Sequence, residues 1–119
     1  MSQLTPHFHS YEISCPCCGD PMIQQSSVNR LERARMYAGI PFHINSAKRC
    51  PVHNLDVGGK KNSAHLDGYA FDIRIGSSHE RFIIYNALVK AGFKRIGIAG
   101  TFIHCDDHPD LPQEVTWKY

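Results

Sequence analysis

Between residues 69 and 75 the side chains alternate: Tyr69, Phe71, Ile73 and Ile75 are apolar on one side, and Ala70, Asp72 and Arg74 lie on the other. A period of two predicts a strand with one face turned to a core. The same reading predicts strands over 93–99 and 101–106, joined by a turn at Gly100, and a short last strand over 115–117. Residues 41–46 read as a short buried strand and residues 11–13 as another. Val28, Leu31, Ala34 or Arg35, and Ala38 recur near helical spacing, which predicts a helix over 28–38 capped by Ser26-Ser27 and stopped by Gly39 and Pro41. Ser77-Ser78 opens a second helix over 79–91, with Phe82, Ile83, Leu88, Val89 and Ala91 as its apolar stripe and Gly92 at its end. A short helix over 51–57 precedes Gly58-Gly59. The expected architecture is α+β, with helices packed on one side of a small, largely antiparallel sheet. Residues 1–119 form a single domain in this reading, and residues 1–14 are an extended N-terminal arm.

Composition narrows the class. A chain of 119 residues, 42% hydrophobic and 20% charged, is long enough to bury a core without disulfides. A net charge of +2 is too small to argue for nucleic acid as a partner. No apolar run approaches the ~20 residues of a membrane span, and Met1–His7 does not read as a signal peptide. A monomer is expected.

Cys15, Cys17 and Cys18, with Cys50 and Cys105 further on, invite a structural metal. Read as Cys-x-Cys and Cys-Cys pairs, the cluster does not match a zinc knuckle, and an odd total of five argues against a full disulfide framework. Buried thiols are expected, with a disulfide from Cys50 to the cluster as the alternative.

The chemistry concentrates in Ser63-Ala64-His65-Leu66-Asp67-Gly68-Tyr69-Ala70-Phe71-Asp72. An extended chain would hold His65 and Asp72 more than ~20 Å apart. Both reach one ion only if the chain folds back, and Gly68 permits such a turn. Asp72 sits mid-strand, where an unpaired carboxylate is costly; Arg49 or Arg74 is an alternative partner to a metal. His104 is the best third donor, since Phe102, His104 and Asp106 share a strand face. Two histidines and an aspartate, with one position left to water, form the donor set of a catalytic zinc.

Ser63-x-His65-x-x-Gly68-x-Ala70-x-Asp72, followed by His104-x-Asp106, resembles the signature of the zinc D-Ala-D-Ala carboxypeptidase family. That family includes peptidoglycan carboxypeptidases, phage endopeptidases and, by fold, the hedgehog signalling domain. The segment from Asn45 to Gly59 and the cysteine-rich start are similar to its small phage-type members. The resemblance implies one zinc ion per chain in a cleft on the sheet, held by His65, Asp72 and His104. It also implies hydrolysis of a peptide bond in the peptidoglycan stem peptide, by a carboxypeptidase or an endopeptidase. Such an enzyme, made in the cytoplasm of a phage-infected or bacterial cell, would reach the wall after lysis or in a virion.

Arg49 and Ser63 match family positions beside the substrate, and a guanidinium can clamp a carboxylate with two prongs. Ser63 is also placed to cap the turn into His65. Several family branches carry an acid or histidine three residues before the last ligand, where this chain has Thr101. Threonine cannot act as a base at neutral pH, so Asp106 is expected to handle the proton, or else to hold His104; His108 is a weaker choice. Trp117 is expected to close the core. The departure at Thr101 keeps open a non-catalytic, zinc-stabilised binding module of the same fold.

Overall fold

The computed structural model describes residues 3–119. The chain runs β1 (Gln3–Thr5), β2 (Phe8–His9), α1 (Ser10–Ile13), α2 (Gln25–Ala38), β3 (Ile44–Ser46), α3 (Pro51–Asp56), β4 (Ala70–Arg74), α4 (Ser78–Ala91), β5 (Arg95–Ile98), β6 (Phe102–Asp106) and β7 (Val115–Lys118). β1 and β2 form a small antiparallel pair, and the other five strands form one sheet in the order β3-β4-β6-β5-β7. Only β7, which runs parallel to β5, breaks the antiparallel pattern.

The alternation in β4 produces a two-faced sheet. Phe71 pairs with Cys105 and Ile73 with Ile103, and these side chains are fully buried. They join Val28, Leu31 and Ala34 of α2 and Ile84, Ala87 and Leu88 of α4 in the core. The opposite face carries Asp72, His104 and Asp106. One side of the sheet is thus committed to packing and the other is free for chemistry.

The helices depart from the sequence reading in ways that packing explains. α2 begins at Gln25, so Ser26-Ser27 do not cap it. Ser27 is buried, its hydroxyl donating to Asp107 Oδ1 at 2.5 Å, while Arg30 Nε donates to Asp107 Oδ2 at 3.2 Å. That serine ties the helix to the loop after β6. In α4, Ser77 does cap, accepting from Glu80 N at 3.1 Å. The stripe that faces the core is Ile84, Ala87, Leu88 and Ala91, whereas Phe82 and Val89 point outward.

Residues 11–13, expected as a strand in an extended arm, form the helical turn α1 instead. Glu12 reaches back to accept from His9 N at 2.7 Å, and burial of Phe8 and Ile13 anchors the segment. The short strand expected over 41–46 is confined to Ile44–Ser46, with Phe42 buried just before it.

Candidate metal centre

The cross-strand register lines up one row of residues across the sheet. Ser46 lies opposite Asp72, Asp72 opposite His104, His104 opposite Gly97, and Gly97 opposite Trp117. His65 joins this row from the preceding loop. Gly68 makes the return possible: its φ is +77°, and a Cβ there would lie 3.0 Å from Ile23 Cα and 3.1 Å from Met22 O. A side chain at that position would be strained and crowded at once.

His65, Asp72 and His104 are all buried, and their donor atoms lie within 4.8 Å of one another. The outer nitrogen of each ring is fixed by a protein acceptor. His65 Nδ1 lies 2.6 Å from the Ala47 carbonyl oxygen, which can only accept, so that nitrogen carries the proton. His104 Nε2 lies 2.6 Å from Asp106 Oδ2 and donates to it. The inner nitrogens, His65 Nε2 and His104 Nδ1, then both face Asp72 Oδ1, at 3.2 and 3.0 Å.

With neutral rings, three lone-pair acceptors converge, which is repulsive unless positive charge lies among them. The titration tendencies agree. Burial holds the His65 imidazole below its ordinary pKa, favouring the neutral ring with Nε2 bare. Burial alone would raise Asp72, but the His104 and His65 rings against its carboxylate outweigh that and keep it ionised. His104 is disfavoured as a cation by burial, yet its bonds to Asp106 and Asp72 pull its pKa up. The ionised Asp72 carboxylate leaves negative charge where the three donors meet, which a cation would offset. Metal-bound histidines characteristically give their other N–H to a carboxylate or carbonyl, as both rings do here.

Asp106 is fully buried and its oxygens are occupied. Oδ2 takes the His104 proton, while Oδ1 accepts from Arg95 Nε at 2.8 Å and from His108 N at 3.2 Å. It therefore bonds the edge of the His104 ring remote from Asp72. Burial raises its pKa, but the bond from His104 and the Arg95 charge prevail and keep it ionised.

Arg49 spans the site's edge, with Nη2 3.2 Å from Asp72 Oδ2, Nε 3.1 Å from Ser46 Oγ and Nη1 3.3 Å from Asn54 Oδ1. A guanidinium has five N–H donors, so each terminal nitrogen keeps one in reserve. Ser63 Oγ accepts from His65 N at 3.2 Å, which leaves its proton free to donate. His108 is buried behind Asp106, 2.8 Å from Asp67 Oδ2.

Trp117, expected in the core, lies instead beside the site: its ring centroid is 5.4 Å from that of His104 and 5.1 Å from the Arg95 guanidinium. Gly97 makes room, since a Cβ there would lie 2.5 Å from Trp117 Nε1. The supporting roles of Ala47, Arg95 and Gly97 were not apparent from the sequence. Their one signal is register: in alternating strands, Arg95 and Gly97 fall on one face, but which strand they oppose is decided by pairing.

No helix among the described residues is long and apolar enough to cross a membrane. No curated protein matches the chain. A family model described as Peptidase M15 matches residues 6–106, a span that takes in the return loop, every strand of the row but the last, and all three converging donors. The chain belongs to the peptidase M15 family.

Proposed function

We propose that this peptidase is a zinc enzyme that hydrolyses a peptide bond in the stem peptide of peptidoglycan, with His65, Asp72 and His104 as its metal ligands. One observation carries the reading: two imidazoles, each with its outer N–H already given away, aim their remaining lone pairs at one oxygen of a buried carboxylate. When bound, zinc polarises the scissile carbonyl and brings the pKa of a coordinated water towards ~7.

The remaining roles belong to the chain's own side chains. Asp106 orients His104 and is a positioning residue, because its carboxylate lies behind the ring. Arg49 holds Asp72 and offers its two remaining N–H groups to a substrate carboxylate or carbonyl. The Ser63 hydroxyl is a further donor at the same edge. Wall polymer, reached after lysis or as part of a virion, is the proposed partner of a monomeric chain.

A second reading, a non-catalytic zinc-stabilised binding module, draws on the occupied Asp106 carboxylate together with Thr101, which leaves no free acid in the last ligand strand. Mass spectrometry of purified peptidoglycan digested with the zinc-loaded chain separates the two. New amino and carboxyl termini, absent with the His104→Ala variant, are expected and identify the bond. Unaltered peptidoglycan from several wall chemotypes, with zinc bound, would leave the binding module.

A further inference from the structure

Cys15-Pro16-Cys17-Cys18-Gly19 contains the spacing Cys-x-x-Cys between Cys15 and Cys18 as well as the tighter Cys-x-Cys pair. A second Cys-Pro step occurs at Cys50-Pro51, which opens α3. The fold brings these two segments together across more than thirty positions of sequence. Residues 15–20 form a tight turn, closed by Gly19 N donating to Cys15 O at 2.7 Å and Cys15 N donating to Asp20 O at 2.9 Å. Cys17 Sγ then lies 3.5 Å from Cys50 Sγ, and the sulfurs of Cys15, Cys17 and Cys50 are within 4.8 Å of one another. Cys18 adjoins Cys17 in the same tight turn and is exposed.

The distances discriminate between a bond and a shared ion. A disulfide needs sulfurs ~2.05 Å apart, and all these cysteines are free. A tetrahedral zinc with Zn–S of ~2.3 Å has sulfur–sulfur edges of roughly 3.8 Å, near the 3.5 Å between Cys17 and Cys50 and within the 4.8 Å that bounds the Cys15, Cys17 and Cys50 sulfurs. The backbone is also arranged for negative sulfur. Cys50 N donates to Cys15 Sγ at 3.4 Å, and His53 N donates to Cys50 Sγ at 3.4 Å. Amide donors converging on sulfur stabilise thiolate, the form that binds metal. Cys15 is buried and Cys50 half-buried, while Cys17 and Cys18 are exposed, so an ion has an entry path from solvent.

We propose that Cys15, Cys17, Cys18 and Cys50 form a second, structural zinc site that staples the N-terminal turn to the start of α3. Each thiol releases its proton to solvent as its sulfur takes up the ion. The staple fixes the short run from Ala47 to Cys50, and with it two supports of the first centre: the Ala47 carbonyl that fixes His65 and the Arg49 guanidinium that holds Asp72. Lys48 N, in the same run, donates to Ile13 O at 3.0 Å, so the stapled segments already share a backbone bond.

Cobalt loading of the unmutated chain tests this without relying on a variant that folds. A sulfur-to-cobalt charge-transfer band in the near ultraviolet is expected, and it should persist in the His65→Ala/His104→Ala variant while vanishing in Cys17→Ser/Cys50→Ser. Metal analysis of the histidine variant should find about one zinc per chain, as a closed four-sulfur site requires. Absence of the sulfur band from the cobalt-loaded parent chain would overturn the proposal. So would a histidine variant free of zinc, or a Cys17–Cys50 disulfide found by peptide mapping of freshly purified protein. The proposal is independent of activity, so failure of the peptidase reading leaves it standing.

Discussion

Glycine 97 is the smallest residue in the row across the sheet, and it decides where the largest one goes. A methyl group there would lie 2.5 Å from Trp117 Nε1 and 2.7 Å from Trp117 Cε2. Gly97→Ala should therefore push the indole off His104 at a cost of about 1–3 kcal/mol, the usual penalty for overpacking. Thermal unfolding measures the loss, and tryptophan fluorescence, with Trp117 as its sole source, reports the displacement. Asp106 gives a sharper test at the same scale. Asp106→Asn removes the charge that holds His104 and leaves Arg95 without its carboxylate. If Asp106 positions the ligand, zinc affinity should fall roughly 10–100-fold. Unchanged affinity with a ~10²–10⁴-fold loss in kcat would make it the base. The three converging donors were legible in the sequence because residue type, strand alternation and Gly68 constrain them together. Asp106's place behind His104 was not, because alternation gives a face but not which edge of a neighbouring ring a carboxylate meets.

Among the elements, strands were the more legible, since β4, β5 and β6 each bury an unbroken apolar face. The N-terminal segment was misjudged because three residues of alternation cannot tell a strand from a helical turn, and a local bond from His9 N to Glu12 decides for the turn. α4's stripe shifted because the helix presents more apolar residues than the sheet covers, leaving Phe82 exposed. A long-range contact ties the turn between β1 and β2 to α2, beside the bond from Gln25 Nε2 to Leu4 O. His7 N donates to Glu32 Oε1 at 2.8 Å, and His7 Nδ1 lies 2.6 Å from Glu32 Oε2. Burial opposes ionisation of Glu32, but the bonds from His7 prevail and lower its pKa. A carboxylate with a depressed folded-state pKa stabilises above its unfolded value and loses that contribution as the pH falls through the folded one. Glu32→Gln should thus cost about 1–2 kcal/mol at neutral pH, and the gap between variant and parent should close as the pH drops below ~4. Denaturant titrations at neutral and acid pH check both halves; an equal gap at both would mean that charge plays no part.

For the molecule as a whole, the sheet divides labour between a face packed on α2 and α4 and a face that holds polar groups. Three buried ionisable side chains aimed at one point are costly without an ion, so metal and stability should be linked. Zinc supplied to stripped protein at about 1,000 times its dissociation constant should add roughly 4 kcal/mol per site. The unfolding midpoint should rise accordingly, and a midpoint indifferent to zinc or chelator would deny the linkage. Binding at the cysteine cluster would add to the same shift, which is why location matters more than total affinity.

The measurement that bears most directly on the metal centre is anomalous diffraction at the zinc absorption edge from crystals of the zinc-loaded chain. A peak bounded by His65 Nε2, Asp72 Oδ1 and His104 Nδ1, about 2.0–2.2 Å from each, is the predicted result. Zinc at the cysteine cluster with no peak among those three atoms would contradict it.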